Sequence, residues 1–167
     1  MNIFGNNIKF SIFGESHGVA IGGIIDGIKP GTKLDFEKID QMMKKRNHRA
    51  VYSTQRAEAD KYEILSGVVD GITTGAPLAF EIRNADTKSG HYSELASVMR
   101  PSHADYGAYV KFKGFADHRG GGHFSGRITA PLTFAGAIFK NELEKKGIFI
   151  YPHILSIGNI RDKSFLE

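Results

Sequence analysis

Over residues 8–13, Ile-Lys-Phe-Ser-Ile-Phe, apolar and polar positions alternate loosely, and a second apolar run over residues 19–28 carries glycines at 22, 23 and 27. Both stretches predict largely buried strands. Between them lies Gly14-Glu15-Ser16-His17-Gly18, a glycine-bounded turn presenting an acid, a hydroxyl and an imidazole. Composition alone leaves two readings of it open, a hairpin tip facing water or part of a site. Lys29-Pro30-Gly31 marks a further turn, after which the spacing becomes helical. Asp35 caps a helix running to about Arg46, with Phe36, Ile39, Met42 and Met43 on one face and Lys44, Lys45 and Arg46 favourably at the negative end of its dipole. Residues 62–69 and 77–83 predict two more strands, and the glycine-bearing connection 70–75 suits a hairpin. Residues 84–97 are polar and irregular, which predicts a loop.

In Arg100-Pro101-Ser102-His103-Ala104-Asp105-Tyr106, Ser102 and Asp105 have capping-box spacing. A helix is expected from there to about Phe112, ended by Gly114. Capping accounts for the serine and the aspartate but not for His103. A helix N-terminus disfavours imidazolium, so a histidine there stays neutral and able to exchange a proton near pH 7. The strongest helical pattern opens at Thr129 or Ala130, tolerates Pro131 in its first turn, repeats through Leu132, Ala135, Ile138, Phe139 and Leu143, and meets Gly147 as C-cap. Residues 148–160 read as one or two further strands. The sum is an α+β fold, antiparallel sheets packed with helices, in a single domain over residues 1–167.

Composition narrows this picture. A chain of 167 residues can bury an adequate core. The absence of cysteine excludes disulfides and thiolate nucleophiles or metal ligands. No stretch approaches the roughly 18 apolar residues of a membrane helix, and the N-terminus lacks the basic and apolar regions of a signal peptide, so the expectation is a cytoplasmic protein with no membrane partner. A net charge of +4 suits nucleic acid or an anionic metabolite equally. The densest positive run, Lys44-Lys45-Arg46-Asn47-His48-Arg49 with Arg56 beyond, reads as a solvated helix end or as a basic loop closing over phosphate.

The chemistry concentrates in Asp117-His118-Arg119-Gly120-Gly121-Gly122-His123-Phe124-Ser125-Gly126-Arg127. Three glycines let the backbone bend sharply and approach a ligand, while arginines, histidines and a following helix favour an anion. No Gly-Lys-Ser/Thr follows, so this is not a P-loop, and the glycines do not continue as a dinucleotide fingerprint. No His-Glu-x-x-His or comparable spacing exists, so no metal is expected. Ser16 beside His17 is not evidence for a catalytic triad, since neighbours on an extended chain point apart. What remains is three polar loops, 14–18, 100–106 and 117–127, carrying His17, His103, His118, His123, Arg100, Arg119 and Arg127. If they converge, they form a cationic pocket with proton carriers, suited to a phosphorylated or carboxylated substrate with an anionic leaving group.

In that order and spacing, Phe13-Gly14-Glu15-Ser16-His17-Gly18, Arg100-Pro101-Ser102-His103-Ala104-Asp105-Tyr106 and Asp117-x-Arg119-Gly120-Gly121-Gly122-x-x-Ser125-x-Arg127 resemble the signature segments of the chorismate synthase family. Ser53-Thr54-Gln55-Arg56, Ile64-Leu65-Ser66-Gly67-Val68 and Thr73-Thr74-Gly75 resemble its connecting segments. The resemblance implies a layered β–α–β sandwich, a homotetramer, and a lyase that eliminates phosphate and a ring hydrogen from 5-enolpyruvylshikimate 3-phosphate to give chorismate. It implies reduced FMN as cofactor, with no net redox change, and NADPH only in a bifunctional member. By the same likeness, His17 protonates the departing phosphate and His103 manages protonation of the reduced flavin. Ser16, Arg46, Arg56, Arg100 and Arg127 would meet the substrate, and Arg119, Gly122, His123, Phe124 and Ser125 the cofactor. Two departures stand out: Lys44-Lys45-Arg46-Asn47-His48 replaces three arginines and Pro-Gly, and His123-Phe124-Ser125 replaces Arg-Ser-Ser. Family chains also continue beyond the length seen here, so the sequence resembles their N-terminal half. The rival readings are a non-catalytic anion- or flavin-binding paralogue and, much further behind, a basic nucleic-acid-binding module; the expected partner is a small phosphorylated molecule and no nucleic acid.

Overall fold

The computed structural model of the chain describes residues 2–46, 59–85 and 98–165. Its centre is a five-stranded antiparallel sheet of order β1-β2-β3-β7-β4, built from β1 (Ile3–Phe4), β2 (Lys9–Gly14), β3 (Ala20–Asp26), β4 (Tyr62–Ser66) and β7 (Leu78–Arg83). Two helices, α1 (Phe36–Arg46) and α3 (Thr129–Glu144), pack on each other, and α3 lies on the sheet. The expected α+β class and antiparallel pairing are therefore observed.

Alternation decides which face of the sheet the helices cover. Leu78, Phe80 and Ile82 are fully buried, as are Ile21 and Ile25 on the neighbouring strand, while Phe13 and Ile24 remain partly exposed on the other face. Phe134 of α3 descends on Phe80, with ring centroids 4.1 Å apart, and Tyr62 meets it from β4 at 4.5 Å. Burying each such side chain contributes about 1.5–3 kcal/mol. Gly23 makes room for this packing, because a Cβ there would stand 2.4 Å from the Phe10 ring.

The expected caps are mostly present, with two changes. Asp35 caps α1, its Oδ1 accepting from the Lys38 amide at 3.1 Å. Gly147 ends α3 at φ 75°, donating to the Glu144 carbonyl while Ile148 donates to that of Leu143, so both orphan carbonyls are met. The helix α2 (Asp105–Lys111) has no side-chain N-cap, against the expected capping box. Its Asp105 carboxylate is taken by Arg100, a charged donor outcompeting a neutral amide. At its other end Lys113 as well as Gly114 adopts positive φ, the residue before the expected glycine making the first turn.

Other boundaries also move. The strand expected over 62–69 breaks at Gly67, φ 82°, into β4 and a short β5 (Val68–Val69). β5 pairs with β6 (Ile72–Thr73) across Asp70-Gly71, both at positive φ, so the hairpin is tighter than the 70–75 connection suggested. The apolar face of α3 is carried by Phe134, Ala135, Ala137 and Ile138, with the polar Asn141 buried beside them, whereas Leu132, expected inside, is exposed. Over the expected strands at 148–160 only β8 (Ser156–Ile157) and β9 (Ile160–Arg161) form, pairing with each other. Hydrophobic residues there have no described neighbouring strand to complete a ladder, and Ile148, Phe149, Ile150 and Tyr151 stand exposed. Of the loop expected at 84–97, residues 86–97 lie outside the described residues.

Candidate functional site

The turn between β2 and β3 does not face water. Ser16 and His17 are both buried, at 1% and 9% exposure, which rules out the reading of a tip whose polar residues face water. What covers them is the triple glycine. Gly120, Gly121 and Gly122 all have positive φ, at 58°, 85° and 53°, a run that side chains on three successive residues would strain. The Gly122 carbonyl accepts from the Ser16 amide at 3.0 Å, fastening the two loops together. A Cβ on Gly120 would stand 2.6 Å from His17 Nε2 and 3.1 Å from Ser16 Oγ. Glycine therefore lets the backbone of this loop lie directly against the imidazole and the Ser16 hydroxyl, a contact that a side chain at 120 would break.

The other loops join at the same place. A Cβ on Gly121 would lie 3.6 Å from an Arg100 terminal nitrogen, so the 100–106 loop meets the glycines through this guanidinium. Asp105 holds Arg100 by a two-pronged fork of 2.8 and 2.9 Å, and Asp117 holds Arg119 in the same way. The Arg100 fork lowers the Asp105 carboxyl to about 2, and the Arg119 guanidinium likewise lowers that of Asp117. His123 donates from Nδ1 to the Gly14 carbonyl at 2.8 Å; a carbonyl only accepts, so that nitrogen carries the hydrogen. His103 is exposed in the loop that Arg100 anchors. The convergence of the three loops, posed as a condition from sequence, is thus met.

Beneath them runs a buried polar floor. Arg127, almost fully buried, donates from Nε to Asn84 Oδ1 at 2.9 Å and pairs with Asp60. The other oxygen of Asp60 is taken by Arg46, which also reaches the Gly126 carbonyl and Thr129 Oγ1 at 3.5 Å. The Asp60 side chain is wholly inaccessible to solvent, and two guanidinium groups are what a carboxylate in that position requires. Ser125 Oγ accepts from the Arg127 amide, turning the chain into the short 3-10 segment before α3. Arg56 lies outside the described residues.

Beside the glycine turn an open pocket of about 360 Å³ is lined by Gly14, Glu15, Phe112, Phe115, His123 and Phe124, among others. Phe112 and Phe124 meet with centroids 5.9 Å apart. Among the described residues no group of three His, Asp or Glu side chains is placed to hold a metal ion, and no helix is long and apolar enough to cross a membrane.

Sequence reasoning missed Asp60, Asn84 and Asp117. The first two sit in ordinary polar context and carry no local signal; Asp117 was visible only as the edge of the glycine motif.

A chorismate synthase family model matches residues 8–167. The chain belongs to the chorismate synthase family. It is 47% identical over 156 residues to the chorismate synthase of Aeropyrum pernix, covering 93% of this chain and 41% of that protein. It is 45% identical over 169 residues to that of Azobacteroides pseudotrichonymphae, covering all of this chain and 48% of the relative. A crystal structure of chorismate synthase superposes with a TM-score of 0.69 at 32% identity, covering 94% of this chain and 40% of the other. The chain thus spans less than half the length of the chorismate synthases it matches. Within that span, the glycine-covered histidine and the two arginine-bearing loops all fall inside the matched region.

Proposed function

We propose that this chain supplies the histidine and glycine wall of a chorismate synthase active site, acting in the elimination of phosphate from 5-enolpyruvylshikimate 3-phosphate. The observation that carries this reading is the convergence of the glycine turn on Ser16, His17 and Arg100, which gathers a hydroxyl, an imidazole and an oriented cation around one loop. In the reaction the carbon–oxygen bond to phosphate breaks with its electron pair, a ring C–H is lost, and a second ring double bond forms. In this reading His17 gives a proton to the departing phosphate and Ser16 orients it. Arg100 and Arg119, aligned by their aspartates, add positive charge where phosphate and carboxylates collect.

The residues fit a flat heteroaromatic cofactor. The pocket beside the glycines has aromatic walls in Phe112 and Phe124 and a fixed imidazole in His123. Gly122, Ser125 and Arg119 border the same turn. Reduced FMN, when bound, supplies transient electron density to the elimination without net redox change. His103, exposed at the rim, holds a proton for exchange on that side. The reading extends to a cytoplasmic homo-oligomer, a tetramer by family likeness; NADPH belongs to it only if the protein is bifunctional.

The test is anaerobic. The protein carrying this chain is mixed with reduced FMN and 5-enolpyruvylshikimate 3-phosphate, and phosphate release is followed. His17→Ala and His103→Ala should each slow turnover by about 100-fold or more, as loss of general acid–base catalysis does. Near wild-type turnover in both variants overturns the assignment. Binding of FMN with no phosphate release favours a non-catalytic relative that keeps the ligand.

A further inference from the structure

We propose that Asn84 is the positioning residue of the site, setting where His17 stands by holding the turn that carries it; this rests on the proposed role of His17 as proton donor. Asn84 follows the last residue of β7. Its backbone amide donates to the Val19 carbonyl at 3.1 Å, extending the β3–β7 ladder one step past the assigned strands. Its side-chain Nδ2 donates to the Glu15 carbonyl at 3.0 Å and to the Gly18 carbonyl at 2.8 Å. One residue thus engages three carbonyls of the 15–19 connection, one on either side of Ser16 and His17 and a third beyond. The remaining polar atom, Oδ1, accepts from Arg127 Nε at 2.9 Å.

That last bond fixes the amide's orientation. Arg127 only donates, so Oδ1 must face it and both Nδ2 hydrogens must face the turn. Arg127 is in turn held by Asp60, and Asp60 by Arg46. A chain of polar contacts therefore runs from α1 through the floor to the loop bearing His17. The glycine cover presses from above, where Gly120 abuts the imidazole, and Asn84 pins from below. A histidine located from two sides keeps one position relative to a ligand oxygen, and an error near 1 Å there is enough to cost about 100-fold in rate.

Asn84→Asp separates this role from a structural one. The carboxylate retains an acceptor for Arg127, now with charge assistance, but presents no hydrogen to the Glu15 and Gly18 carbonyls and repels them. The expected result is a folded protein with a lowered melting temperature, turnover reduced by about 100-fold at a temperature where the variant is fully folded, and KM changed by less than about twofold. Loss of activity only in proportion to loss of stability, or unchanged turnover, overturns the proposal.

A second readout needs no activity. Diethylpyrocarbonate modification of His17, read by mass spectrometry, should be slow in wild type and accelerate by roughly tenfold or more in Asn84→Asp, as a loop loses protection on release. An unchanged rate overturns the positioning role. If the wild-type protein releases no phosphate, the proposed function falls while this measurement still decides the role of Asn84. Should Asn84→Asp fail to fold, wild-type hydrogen exchange decides: both Asn84 carboxamide protons should exchange far more slowly than those of exposed Asn159. Equal rates would overturn the proposal.

Discussion

Two sets of arginines flank the site, and they are built differently. At the rim, Arg100 and Arg119 are each clasped by an aspartate of the same loop, a few residues away, with the guanidinium groups reaching solvent. In the floor, Arg46 and Arg127 share Asp60, a residue distant in sequence from Arg127 and inaccessible to solvent. The rim pairs are local forks that preorient charge for a visitor. The floor pairs are long-range ties that decide where loops stand. Equal formal charge thus serves two ends, and burial is what separates them: a solvated pair contributes little to stability, whereas breaking a buried one strands its partner.

The sharpest way to break this comparison is at the floor. Asp60→Ala leaves two guanidinium groups without their shared carboxylate, and the expected loss of stability is about 3–5 kcal/mol, measured by urea denaturation. A loss below about 1 kcal/mol would mean that the buried cluster carries no more than a surface pair does. The next effect lies where floor meets rim. Gly120→Ala demands positive φ of an alanine and drives its Cβ into His17, so it should destabilise by about 1–3 kcal/mol and also push the imidazole from its place. Turnover should therefore fall further than the melting temperature explains. Stable protein with full activity would show that the Gly120–His17 contact does not set the imidazole's position.

How much of this was legible beforehand follows the same division. Arg100 and Arg119 were readable because their signal is local, each lying within one short motif, although their aspartate partners were not singled out as site residues. The sheet and its helix were readable for a similar reason, since alternation over 78–83 and helical spacing after Thr129 reflect burial directly. The floor was not. Asp60 and Asn84 acquire meaning only when β7, the segment before β4 and the turn before α3 are folded together, and no spacing along the chain announces that. The misread ends have two origins. Ser102 and Asp105 have the spacing of a capping box, but the charged fork from Arg100 of the same loop took the carboxylate. Residues 148–155 are apolar enough for a strand, yet a strand needs a partner edge that no described residue provides.

The smallest expected effect tests the rim alone. Asp105 has its carboxyl lowered to about 2, first by the hydrogen bonds from the Arg100 side chain, against a partial rise from burial. A depressed carboxyl contributes stability that is present above its unfolded value, near 3.8, and is lost as pH falls through about 2. The fork should therefore persist unchanged from neutral pH down to about 4 and open only between there and about 2. Solvent screening keeps the stability at stake small, so the informative measurement is the titration itself, the Asp105 side-chain carbon followed by NMR. A midpoint near 2 places the fork in solution, and its disappearance in Arg100→Gln, with the midpoint returning toward 3.8, would identify the guanidinium as its cause. A wild-type midpoint near 3.8 would instead mean that Arg100 is not held, and that the rim offers a mobile charge rather than an oriented one.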